Sequence, residues 1–242
     1  ILASFSTPGF RFFYAHTTFA SVDMSVRLAL HGWLILDLSN NSEFWVGVYA
    51  LVLGLGQFLF SMPAGAMLDR FQRKTVLIIE GITSAALIWG LAIGTFFEAT
   101  NLWIAITASF VMGCLQAVRF TGNNRLIYDL VGPEQLLNGM SLWRIAATPM
   151  MILGAIFAGT LIDWYGIWAA YVFMGVSLVT AIPFLALVRV RGEVTHSDMS
   201  FLKQTIEGVL YMVKTQSLRT LFTVSLVMES LGFSFLIMVP IV

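Results

Sequence analysis

Asp23, Arg27 and His31 fall at intervals of four residues, which places them on one face of any helix that contains them. Asp23 and Arg27 can neutralise each other, and His31 titrates in the range useful for proton exchange near neutral pH. Two readings of the trio stand side by side: a structural ion pair that lets an apolar helix insert, or charges lining a cavity where a substrate or proton binds. His31 is either a coupling group or a hydrogen-bonded structural residue. Glu229 sits within an apolar run with no cation within a turn. A carboxyl desolvated there can exchange a proton as a cavity opens to alternate sides; a neutral, hydrogen-bonded Glu is the alternative. Arg119 and Arg144 also lie within apolar runs and are expected to pair with acids across helices, while Glu80 reads as structural.

Other chemistries find no support. There is no His cluster, no Gly-x-Ser-x-Gly elbow and no metal-ligand spacing, so neither an enzyme nor a metal or other cofactor is expected. Cys114 is the only cysteine and lies inside an apolar run, which removes a disulfide framework and a cysteine metal site. Thirteen Lys and Arg balance thirteen Asp and Glu, so no charge excess points to nucleic acid.

The elements that must position these residues are membrane spans. The chain is 58% hydrophobic and 11% charged, with a mean hydropathy of +0.86, whereas soluble domains carry about 25% charged residues. A helix needs about 20 mostly apolar residues to cross the hydrocarbon. Seven such runs are present, at 11–36, 44–68, 74–97, 102–121, 138–162, 166–188 and 218–241, with Gly122 to Leu137 expected as a loop. The turns after the first, third and fifth runs carry Asp37, Glu43, Glu98 and Asp163 but no Lys or Arg. The basic residues Arg11, Arg70, Arg73, Lys74, Arg125, Arg189, Arg191, Lys203, Lys214 and Arg219 lie on the other side, which predicts a cytoplasmic N-terminus. Between 189 and 217, Phe201, Ile206, Val209, Leu210 and Val213 interleave with Lys203, Glu207 and Lys214, as in an amphipathic helix on the membrane face. Ile1 is not an initiator Met and Val242 falls within an apolar run, so both ends read as truncations.

Ala64-Gly65-Ala66-Met67-Leu68-Asp69 is echoed by Ala158-Gly159-Thr160-Leu161-Ile162-Asp163 at the ends of the second and fifth runs. Three crossings separate the copies, so they lie on opposite faces, as an inverted repeat of three helices demands. Gly65-Ala66-Met67-Leu68-Asp69-Arg70-Phe71-Gln72-Arg73-Lys74 resembles the signature turn of the major facilitator superfamily, with Gln72 in place of the usual Gly. Trp33-Leu34-Ile35-Leu36-Asp37, Asp129-Leu130-Val131 with Glu134-Gln135-Leu136-Leu137-Asn138, and Ser217-Leu218-Arg219 look most like its enterobactin-exporter and macrolide-exporter branch. Gly154-Ala155-Ile156-Phe157-Ala158-Gly159 resembles that family's antiporter motif, with Ala155 where Pro is usual.

The resemblance implies an all-α membrane protein of the major facilitator fold. A six-helix bundle over 1–188, a central cytoplasmic loop over 189–217 and the first helix of a second bundle over 218–242 would make up this part of it. It further implies a conformational latch at Gly65, Asp69, Arg70, Arg73 and Lys74, and makes Arg119 a better cavity candidate than Arg144, because the fourth span lines the pathway in the family. Gly65 would allow close helix approach there. The function expected is proton-coupled efflux of an amphipathic small molecule, siderophore-like or drug-like, by a monomer in the bacterial inner membrane. Partners are then membrane lipid, substrate and protons. Lysophospholipid or solute transport on the same fold, and a non-transporting membrane sensor, are the alternatives. A seven-helix receptor or retinal protein is disfavoured by the predicted orientation and by the lack of a Lys in the seventh run.

Overall fold

A computed structural model of the chain describes residues 3–189 and, beyond them, 210, 211, 213–221, 223 and 224. After a short 3-10 turn at Ala3–Ser6, six helices follow: α1 (Pro8–Leu38), α2 (Glu43–Arg70), α3 (Arg73–Phe96), α4 (Leu102–Val131), α5 (Leu136–Tyr165) and α6 (Ile167–Leu187). The shortest has 21 residues, which at about 1.5 Å per residue still spans the roughly 30 Å of hydrocarbon. Six of the expected spans are thus helices. Most of the seventh, with Glu229, lies outside the described residues, as do Phe201, Lys203, Ile206, Glu207 and Val209 of the expected amphipathic segment.

The connections are short because their residues end helices decisively. Gly132 (φ 72°) stops α4 and Gly166 (φ 93°) stops α5, in backbone conformations that a side chain disfavours. Asn40 and Asn41, also at positive φ, turn the chain between α1 and α2. Asn101 caps α4 by accepting the Ile104 N–H at 2.9 Å. One expected boundary is wrong. Residues 122–131 form the last turns of α4 instead of a loop, because Gly122, Leu126, Ile127 and Leu130 pack inward even though the stretch is polar on average.

The helix pairs that pack reproduce the echo seen in the sequence. Exchanging α1 with α4, α2 with α5 and α3 with α6 converts every substantial packing pair into another: α2 on α4 becomes α5 on α1, α1 on α6 becomes α4 on α3, and α3 on α6 maps to itself. Since three crossings separate the partners, the exchange is an inverted repeat. The tightest crossing is α2 on α4. A Cβ on Gly56 would strike the Phe110 carbonyl, and one on Gly113 would strike the Leu53 carbonyl, so backbone meets backbone from both sides. Gly65 has no such role among the described residues: a Cβ there would meet only an Arg125 guanidinium nitrogen, at 3.6 Å.

Five of the six helices are long and apolar enough to cross a membrane; α1 is the exception. Its polar residues His16, Thr17, Asp23, Arg27 and His31 point into the bundle, and Phe12, Phe19, Met24 and Trp33 are exposed. The same inversion holds around the bundle, where Leu51, Leu55, Phe58, Leu59 and Ile156 face outward. An apolar skin around inward charges is the arrangement that lipid requires.

Candidate functional site

The charges of α1 meet those of α3 and α4 inside the bundle. Asp23 is wholly buried, and its Oδ2 accepts ion-paired hydrogen bonds from Arg27, one turn along α1, and from Arg119 on α4. Arg119 turns its other nitrogens to α3: Nη2 donates to Glu80 Oε1 at 2.7 Å and to Ser84 Oγ at 3.0 Å, and Nε donates to the same Glu80 oxygen at 3.0 Å. Ser84 in turn donates to Glu80 at 2.7 Å. Arg27 completes its contacts on α4 with Gln116 Oε1 at 3.4 Å and the Met112 carbonyl at 3.5 Å. Two acids and two guanidiniums are joined in one network across three helices. In a span, charges persist only when paired or wet in this way. Asp23 Oδ1 and Arg27 Nε remain buried without a partner.

The network forms one wall of a cavity of about 440 Å³ between α1, α4 and α5, within the size range of small-molecule sites. Asp23, Arg27, Arg119 and Asn123 line it on one side, and Trp143, Arg144, Met151 and Ile152 on the other. Arg144, expected to pair with an acid across helices, has no ion pair or hydrogen bond among the described residues. Pro149 interrupts α5 beside the cavity, leaving the Ile145 carbonyl without its usual intrahelical donor.

His31 stands apart from this cavity. Nδ1 lies 2.6 Å from the Tyr171 hydroxyl, and Nε2 lies 3.0 Å from both the Ala105 carbonyl and Ser109 Oγ. A carbonyl can only accept, so Nε2 carries the proton and Tyr171 donates to Nδ1. A neutral ring satisfies every partner and ties α1 to α4 and α6. At the other end of α1, His16 Nδ1 lies 2.9 Å from the Ala181 carbonyl and ties α1 to α6.

The signature turn lies at the face where α1 begins. Asp69 pairs with Arg125 and Arg73 with Asp129, so acid and base on α2 and α3 are matched by base and acid one turn apart on the polar end of α4. Arg125 also donates to the Gly65 carbonyl at 3.2 Å. Lys74 donates to the Ala186 and Val188 carbonyls at 2.5 and 2.8 Å, covering acceptors at the end of α6. Arg70 is the last residue of α2. Towards the opposite face, Ala155, Ala158 and Gly159 of the antiporter-like stretch line a separate cleft of about 210 Å³ with Val26, Leu30 and Trp33 of α1, and Gly154 is buried beside them.

The structure therefore brings Asp23, Arg27 and Arg119 together, keeps His31 in its own cluster, and adds residues the sequence had not placed in the site, Glu80 and Asn123 among them. Glu80 lies 39 positions from Arg119, with no local spacing to suggest the pair. Asn123 fell in the stretch expected as a loop; the signal that could have placed it is the apolar series Leu126, Ile127 and Leu130, which continues the helical period of α4.

An apolar-skinned bundle with its charges turned inward is the arrangement of an integral membrane protein. The family model described as Major Facilitator Superfamily matches residues 15–242, and the chain belongs to that superfamily. It is 25% identical over 177 residues to the uncharacterized MFS-type transporter y4rN of Sinorhizobium fredii, covering 73% of this chain and 43% of that protein. It is 30% identical over 83 residues to an uncharacterized transporter of Buchnera aphidicola subsp. Acyrthosiphon pisum, covering 31% of this chain and 21% of that protein. The chain thus spans less than half the length of either relative. No solved structure matches it significantly.

Proposed function

We propose that the full-length protein is a secondary active transporter that exports an amphipathic small molecule, siderophore-like or drug-like, in exchange for protons. In this reading it is a monomer in the bacterial inner membrane with a cytoplasmic N-terminus. The observation that carries the reading is the sharing of Asp23 Oδ2 by Arg27 and Arg119 at a cavity wall while Oδ1 is unpartnered. A proton passed to the buried carboxylate converts it to an acid and removes the anion that holds two guanidiniums together. The α1 to α4 contact then loses its main attraction, and the other bundle arrangement becomes accessible. Loss of the proton restores the clamp. Glu229, outside the described residues, is proposed as a second carboxyl for the same exchange. The Asp69, Arg73, Arg125 and Asp129 pairs serve as the latch that holds the face where α1 begins in one arrangement.

The test is flux of amphipathic dyes in proteoliposomes containing the full-length protein under an imposed pH gradient. Gradient-driven flux in the wild type, with the gradient dependence abolished in Asp23→Asn and in Glu229→Gln, is expected. Gradient dependence unchanged in Asp23→Asn would remove that carboxyl from the mechanism.

A further inference from the structure

We propose that the cavity between α1, α4 and α5 takes a ligand with a compact oxyanion, a carboxylate, sulfonate or phosphate, and that Arg144 is the residue that binds it. This rests on the transport reading only in treating the cavity as a ligand site.

Charge bookkeeping within the cavity wall supports it. Asp23 and Glu80 are neutralised by Arg27 and Arg119, so the network sums to zero. Arg144 adds one positive charge from the facing helix and is exposed into the cavity without an acid or carbonyl partner among the described residues. It lies eight residues inside α5, about 12 Å from the helix start. An unpaired cation at that depth is costly unless water or an anion meets it. The guanidinium fork suits a two-oxygen anion better than any other common ligand group. Around it, Trp143, Met151 and Ile152 on α5 and Met24 and Phe120 opposite supply an adaptable apolar lining for the rest of the molecule. Asn123, 5% exposed with Oδ1 unpartnered, offers a second polar anchor on the α4 wall, suited to a ligand hydroxyl or N–H. An anionic amphiphile with a hydroxyl or amide meets all three features, whereas a cationic one would oppose Arg144.

The test measures binding of dansylaminoundecanoate, its primary amide and its trimethylammonium counterpart to the full-length protein in phosphatidylcholine nanodiscs. The carboxylate is expected to bind about tenfold more tightly than the amide. Arg144→Gln should erase that preference and leave amide binding unchanged, and Arg144→Lys, which keeps the charge but not the fork, should keep only part of it. Repeating the titration in phosphatidylglycerol nanodiscs separates two sources of the oxyanion. Competition there assigns the site to a lipid headgroup, and its absence to a free amphiphile; both support an oxyanion site. Equal affinity for the three probes, no binding of the carboxylate, or equal losses for acid and amide in Arg144→Gln would overturn the proposal. Gradient-driven flux of the amide without any charge preference would sink this inference and leave transport standing. Charge preference without flux of any probe would do the reverse.

Discussion

Arg119 and Glu80 are joined twice, Nη2 at 2.7 Å and Nε at 3.0 Å, both to the single oxygen Oε1. Arg119 thereby fastens α4 to α3 with one edge while its Nη1 serves Asp23 on α1. Removing either acid leaves a guanidinium in the bundle without its counter-charge. Glu80→Gln and Asp23→Asn should each lower stability by about 3–5 kcal/mol. The double variant Asp23→Asn with Arg27→Gln should be less destabilised than Asp23→Asn alone. Thermal unfolding in detergent compares them, and strict additivity would contradict a shared network.

Tyr171→Phe tests the assignment of protons around His31. The substitution leaves Nδ1 buried without a donor, at a cost of about 1–3 kcal/mol. Because His31 does not line the cavity, proton-driven flux per folded molecule should be unchanged. A loss of coupling at wild-type stability would instead make His31 a member of the transport site.

Glycine substitutions should divide sharply by position. Gly113→Ala drives a methyl into the Leu53 carbonyl on α2, where neither backbone can yield cheaply, and should cost about 1–3 kcal/mol. Gly159→Ala meets nothing within 4 Å and should be tolerated. Monodisperse yield on size exclusion, with melting temperature, reads the difference.

The latch pairs are poor sources of stability. Asp69 and Arg125 are 31% and 32% exposed, and pairs of this kind contribute at most about 1 kcal/mol. Asp69→Arg alone should change melting temperature little but alter transport rate, through like-charge contact with Arg125. The exchange Asp69→Arg with Arg125→Asp should recover the rate. Failure of the exchange, with both chains folded, would mean that Asp69 acts through something other than Arg125.

Much of this architecture was legible because lipid forces apolar runs and short turns into the sequence. The six described helices fall on expected runs, and the echo at Asp69 and Asp163 anticipated the exchange symmetry of the packing. Hydropathy failed at 122–131, where the helix continues after its apolar stretch because Gly122, Leu126, Ile127 and Leu130 still pack inward among the polar residues. The i, i+4 spacing found Asp23 with Arg27, but no spacing rule reaches Glu80, which joins them only through Arg119 on a third helix. Arg144 was expected to have a partner since most buried guanidiniums do. Its open position depends on the gap left where α1, α4 and α5 meet, a property of packing that no single helix encodes.

The failure of α1 to qualify as a span on its own bears on how the protein is made. Made before α4, α1 carries Asp23, Arg27 and two histidines and until then has only its own Asp23 to Arg27 pair to offset the charge. The Ala105 carbonyl, Ser109 and Arg119, on which those side chains depend, are synthesised 74, 78 and 96 residues later. The charged face of α1 is therefore fully satisfied only once α4 has joined it. Assembly of this bundle thus turns on when α1 meets α4.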